Sequence, residues 1–99
     1  MSLNELQREV SDYDKKLGWT EDKAGHIVLH ILEELGEVSR HVIRYEGYKK
    51  EKYSKSELGQ EMTDVLYLTL KLANKFDIKL DGEWELMWER FKGKTSRGL

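Results

Sequence analysis

"HIVLHILEELGEVSRHVI", residues 26–43, sets a helical apolar period beside a strip of acids. Its apolar residues recur with the period of an α-helix, and Ile27, Ile31, Leu35, Val38 and Val42 share one face. Three acids, Glu33, Glu34 and Glu37, fall on a neighbouring strip, together with His26, His30 and His41. That strip borders the apolar face instead of lying opposite to it. Like charges at the edge of a core face are solvated there, paired with Lys or Arg, or neutralised by something the chain does not supply.

The flanking segments read the same way. Upstream, "SLNELQREVSDYDKKLGW" (2–19) places Leu3, Leu6, Val10, Tyr13 and Leu17 at helical spacing. Ser2 with Glu5 forms a capping box, and Gly18 stands where a helix should stop. Thr20, Glu21 and Asp22 suit the start of the second helix, which the pattern carries to about Arg44. Downstream, "YEGYKKEKYSK" (45–55) is a polar connection with room for an extra turn. Ser54 and Glu57 then make a second capping box, opening a third helix to about Phe76. Leu58, Met62, Val65, Leu66, Thr69, Leu72 and Phe76 form its expected core face. Glu61 and Asp64 lie along one edge of that face, and Lys71 and Lys75 continue the edge. "DIKLD" (77–81) breaks the period before a last helix, "GEWELMWERF" (82–91), carrying Trp84, Leu86, Met87, Trp88 and Phe91.

Composition narrows the class. The 99 residues include no proline, which permits long helices, and no cysteine, which excludes a disulfide framework and any thiolate metal site. The chain reads as one all-α domain over 1–99, a small antiparallel bundle of about four helices with a basic tail, about 93–99, that frays. A net charge of −2 with mixed signs gives no electrostatic case for nucleic acid. No apolar run approaches the length of a membrane span, and no signal-peptide pattern opens the chain, so a cytoplasmic protein without a membrane partner is expected. A helical domain this small has a thin core, and self-association as a homodimer or homotetramer is the corresponding expectation.

The acids carry the chemistry. Residues three or four apart on a helix project side by side, so Glu34 neighbours Glu37 and Glu61 neighbours Asp64. If the second and third helices pack antiparallel, the two pairs converge across the seam as oxygen ligands for a hard divalent cation. Without a cation the arrangement is unfavourable, and partial burial pushes carboxyl pKa values upward. Other metal patterns fit poorly. The third helix lacks the histidine that a ferritin-like di-metal bundle requires, and Ile27 stands where H-E-x-x-H needs its glutamate.

"EELGE" at 33–37, followed after 23 residues by "EMTD" at 61–64, resembles the E-E-x-x-E…E-x-x-D signature of MazG-like nucleotide pyrophosphohydrolases, all-α enzymes of the NTP pyrophosphatase superfamily. The likeness covers roughly residues 20–92, including "VLYLTLKLANKFDIKL" (65–80). It implies hydrolysis of a nucleoside triphosphate between the α and β phosphates, giving a monophosphate and pyrophosphate, in a house-cleaning role against non-canonical or surplus nucleotides. The implied cofactor is Mg²⁺, with Mn²⁺ as a substitute. Glu34, Glu37, Glu61 and Asp64 correspond to the metal ligands, and Glu33 to an acid that completes the site or orients water. Glu33 and Glu37 are the candidate catalytic acids. Trp19 and His26 lie where the family forms its base pocket, and His30 is one turn before Glu33. Lys71 and Lys75 are candidates for phosphate contact, as alternatives to ordinary surface lysines. The family's C-terminal phosphate cluster is incomplete, since Arg90, Lys92 and Lys94 come without a clear asparagine. Phosphoribosyl-ATP pyrophosphohydrolase shares the acidic signature and is the nearest alternative; a non-catalytic helical interaction module is the alternative of a different class.

Overall fold

Four helices follow one another in the described residues, 1–47 and 52–96 of a computed structural model; of residues 94–96 the backbone alone is described. They are α1 (Leu3–Leu17), α2 (Ala24–Tyr45), α3 (Lys55–Lys75) and α4 (Leu80–Ser96). No strand occurs among these residues, so the all-α reading holds. No helix is long and apolar enough to cross a membrane.

Local chemistry sets most of the boundaries. Ser2 accepts the Glu5 N–H, Glu5 accepts the Ser2 N–H, and α1 ends at Gly18 with φ +74°, a conformation that side chains resist. Ser54 Oγ likewise accepts the Glu57 N–H to open α3. The start of α2 differs from the pattern. It begins at Ala24, with Lys23 at the cap position and no side-chain cap; the Asp22 carboxylate bonds Lys71 of α3 instead. α4 begins two residues before the segment expected for it and runs on through part of the tail expected to fray. The possible turn at 48–51 and the last residues, 97–99, lie outside the described set.

Cross-contacts fix the packing as antiparallel for α2 and α3. Asp22, just before α2, meets Lys71; Glu34 meets Glu61 and Asp64; and Tyr45 meets Tyr53. α1 packs on the C-terminal half of α3, and α4 touches mainly α1. The core is small: Val10, Ile27, Leu68, Leu70 and Ala73 are its buried apolar residues. Polar clasps supplement it. Gln7 donates from Nε2 to Asn74 Oδ1 and to the Ile78 carbonyl, and its Oε1 accepts the Leu80 N–H at the start of α4. Asn74 returns a bond to the Gln7 carbonyl. Asp81 accepts the Leu3 and Asn4 N–H groups, which places a carboxylate at the positive end of α1.

The expected core face of α3 is corrected. Met62, Leu66 and Phe76 are 56%, 45% and 61% exposed, whereas Leu68, Leu70, Lys71 and Ala73 are buried. α3 lies between α1 and α2, so the stripe facing both is covered; of the expected face, Leu58, Val65 and Leu72 stay half-buried while Met62, Leu66, Thr69 and Phe76 look outward. Leu35 and Val42 of α2 are exposed in the same way, and so are Trp84, Leu86, Trp88 and Phe91 of α4. The radius of gyration is 16.6 Å, against about 13 Å for a compact chain of this length.

Candidate active site

α2 and α3 bring three carboxylates to one point of their seam. Glu34, Glu61 and Asp64 each offer an oxygen within 4.8 Å of the other two. Glu34 and Glu61 are half-buried and Asp64 is exposed. Glu34 Oε2 is buried and has no hydrogen-bond partner, while Glu34 Oε1 lies 3.5 Å from His30 Nε2. Among the described residues, no Lys or Arg forms an ion pair with any of the three. The Glu34 carboxyl is therefore pushed up to about 7, chiefly by sharing a hydrogen bond with Glu61, then by burial and by the charges of Glu61 and Asp64. A carboxyl that holds its proton near neutrality, beside two further oxygens, fits a divalent cation: the charge it lacks is positive and its donors are hard oxygens.

The remaining candidates divide. Glu37, one turn beyond Glu34, lies outside the cluster and pairs with Arg40 at 3.3 Å. Glu33 is exposed. His26 and His30 are exposed too, but His41, from the same strip, is buried with its Nδ1 unpartnered.

Lys71 is not on an open edge. It is buried, 2.5 Å from Asp22 Oδ2 and 3.9 Å from Asp14 Oδ2, with the rings of Trp19 and Tyr67 at 5.5 and 6.0 Å. The bond from Lys71 holds the Asp22 carboxyl below its ordinary range. Tyr67 donates to Asp14 Oδ1 at 2.5 Å; burial first, and the Asp14 carboxylate second, raise the Tyr67 phenol above its ordinary pKa. Lys75 donates to the Thr20 carbonyl at 3.1 Å, and the Trp19 N–H donates to the Asp14 carbonyl at 2.8 Å. The α1–α2 connection is thus pinned onto α3 by two lysines. Beneath it opens a cavity of about 240 Å³ lined by Asp14, Trp19, Asp22, Ile27, Lys71 and Asn74, among others. Lys71 lies seven residues beyond Asp64 on α3, and Ile27 seven before Glu34 on α2. The cavity is therefore about 10 Å from the acids along the seam. A larger concavity, about 340 Å³, sits against α1 and the α3–α4 turn and contains none of the acids.

Asp14, Asp22 and Tyr67 were not singled out from the sequence. The available signal was Asp14 itself, which continues the buried stripe Gln7–Val10 on α1 and so marks a polar group entering the core.

Comparison with known proteins places this arrangement. The family described as phosphoribosyl-ATP pyrophosphohydrolase matches residues 3–90. The chain belongs to that family. As a phosphoribosyl-ATP pyrophosphohydrolase family member it falls within the MazG-like all-α superfamily, as the pair "EELGE" and "EMTD" implied, and it is a hydrolase acting on phosphoric anhydrides. A Bacillus subtilis relative, the uncharacterised protein YpjD, is 30% identical over 94 residues, spanning 91% of this chain and 83% of that protein. The crystal structure of B. subtilis YpjD, provisionally described as a pyrophosphatase, matches with a TM-score of 0.81 at 27% identity, over 92% of this chain and 93% of that one.

Proposed function

We propose that the chain hydrolyses nucleoside triphosphates between the α and β phosphates, releasing a monophosphate and pyrophosphate. The observation that carries this reading is the uncompensated triad of Glu34, Glu61 and Asp64. These three side chains would hold Mg²⁺, or Mn²⁺ in its place. When bound, the cation supplies neutralisation of phosphate charge in the transition state. Three carboxylates exceed the charge of one such ion, so a second ion arriving with the triphosphate accords with the site.

The chain's own contribution is to bind, orient and accept a proton. Attack on a phosphate needs a positioned water and an acceptor for its proton, not a covalent nucleophile. Glu37 and Glu33 are the acceptors on offer, each within one turn of Glu34. Glu37 pairs with Arg40 along α2. Trp19, with His26 nearby on α2, walls the neighbouring cavity, where the nucleoside end of the substrate is accommodated.

Self-association is part of the same reading. The outward stripes of α2 and α3 and the edge-to-face ladder Trp84–Trp88–Phe91, with ring centroids 6.2 and 5.6 Å apart, leave many large apolar side chains exposed to water. A second copy of the chain, with the same stripes to cover, is the occupant that fits. The cell compartment in keeping with this function is the cytoplasm, where nucleotides are pooled.

The test is a panel of canonical and modified nucleoside triphosphates with Mg²⁺, read for pyrophosphate. Pyrophosphate release that Glu61→Gln lowers by roughly a hundredfold or more supports the proposal, since even groups around a metal's ligands are worth 10–100-fold. Orthophosphate as the primary product, or no turnover across the panel, sinks it. The matched family favours one second reading: phosphoribosyl-ATP as the only accepted substrate would replace the first.

A further inference from the structure

Three buried side-chain polar atoms lack a hydrogen-bond partner among the described residues: Glu34 Oε2, His41 Nδ1 and Arg44 Nε. All three belong to α2. At about 3.6 residues per turn, His41 falls some 20° from Glu34 round the helix and Arg44 some 80°. They share the side of α2 that meets α3, with His41 about 10 Å and Arg44 about 15 Å beyond the acid along the axis. Buried polar groups are as a rule paired, and an unpaired one is costly. Three on one strip mark a track whose partner is not the chain itself.

The track has opposite ends. At one stand the carboxylates of Glu34, Glu61 and Asp64. At the other stand His41, 5% exposed, and the half-buried Arg44, and among the described residues no carboxylate pairs with either. Glu37, between the two ends, is paired with Arg40, and Glu57, in the first turn of α3, reaches neither His41 nor Arg44. The Tyr45–Tyr53 contact, with ring centroids 5.1 Å apart, sets the end of α2 beside the start of α3. The positive end of the α3 dipole therefore adds to the same side. An acidic end without a cation and a basic end without an anion together complement a divalent cation that carries phosphate groups.

The other cations of this seam are engaged. Lys71 holds Asp22 and Lys75 the Thr20 carbonyl, both at the far end, where Trp19 walls the cavity. His30 stands beside Glu34. We propose that His41 and Arg44 bind the β and γ phosphates of the substrate, and with them the pyrophosphate that is released. The nucleotide then lies along the seam, its nucleoside towards Trp19, its α–β link at the acids and its last phosphates towards the end of α2. Side chains on a helix lean towards its N-terminus, which inclines His41 and Arg44 towards the acids. The inference rests on the nucleoside triphosphate reading.

Inorganic pyrophosphate with Mg²⁺ is the probe. Calorimetry should show that wild type binds it and that Arg44→Gln weakens the binding by about tenfold or more, as loss of hydrogen bonds to a charged group does. Arg44→Lys should keep part of the affinity. AMP with Mg²⁺ should bind wild type and Arg44→Gln alike, which a general loss of structure would not allow. On unaltered protein, the ring nitrogen signals of His41 should shift with pyrophosphate and Mg²⁺ beyond their position with Mg²⁺ alone; if the variants do not fold, these signals decide alone. Equal pyrophosphate affinity in Arg44→Gln, or His41 signals that do not move, overturns the assignment, and triphosphate turnover alongside that result leaves the hydrolysis reading standing. Pyrophosphate held through Arg44 without turnover of any triphosphate supports the anion site and removes the hydrolysis reading instead. Neither turnover nor pyrophosphate binding overturns both.

Discussion

Two polar clusters lie on one side of α3, about two turns apart, and the chain treats them in opposite ways. Around Lys71, each charge has a partner drawn from another element: Asp14 from α1, Asp22 from the α1–α2 connection, with Tyr67 bracing Asp14. Around Glu34, like charges converge, and among the described residues only His30 pairs with any of them. The compensated cluster fastens the fold and shapes a neutral cavity. The uncompensated one is maintained against its own repulsion, which the cation proposed above would relieve. Polar content near a core therefore does not distinguish structure from function here; the balance of charge does.

Breaking the compensated cluster should have the largest effect on stability. Lys71→Met leaves the buried Asp14 and the half-exposed Asp22 without their cation, and that loss lowers stability. Urea unfolding of the variant should show that loss as a lowered midpoint. A midpoint at the wild-type value would mean that Lys71 is a bystander. Tyr67→Phe removes a single hydrogen bond to a carboxylate and should cost about 1.5–3 kcal/mol, at the lower end if water reaches Asp14. A smaller effect, of opposite sign in the two clusters, should appear on acidification without added metal. Glu34 has a folded pKa of about 7, above its ordinary 4.5. Between those values the folded state binds more protons than the unfolded state, so the Glu34 contribution makes stability rise as pH falls through 7 towards 4.5. Asp22 is shifted downward, so its contribution is present above the ordinary aspartate pKa of 3.8 and is lost as pH falls below it. A pH series on wild type and Glu34→Gln separates the two: the variant should lack the gain between 7 and 4.5 and keep the loss below it.

Much of this architecture was legible in the residues, and the illegible parts share a cause. Ser2, Gly18 and Ser54 act on backbone groups a few residues away, so local sequence announces them. The i,i+3 spacing of Glu61 and Asp64 is equally local, and the antiparallel seam then presents both to Glu34. Glu37 looked equivalent to Glu34 by spacing, yet Arg40, three residues on, offers it a nearer partner than the cluster does. Lys71 looked like part of an exposed edge because its partners, Asp14 and Asp22, come from residues about fifty positions earlier. The apolar period of α3 points to a single face. That period shows which stripe avoids water, but it does not show whether α1, α2 or a second copy of the chain covers it. Met62, Leu66 and Phe76 are the residues on which this ambiguity fell.

Glu34, Glu61 and Asp64 are proposed as a cation site held against its own repulsion. Thermal unfolding of wild type and Glu34→Gln at pH 7.5, with and without Mg²⁺, tests it most directly. The wild-type Tm should rise with Mg²⁺, because an ion that binds only the folded state stabilises it. Glu34→Gln should start from a higher Tm in the absence of metal and respond little to Mg²⁺. A variant less stable than wild type without metal, together with a wild-type Tm indifferent to Mg²⁺, would contradict the claim.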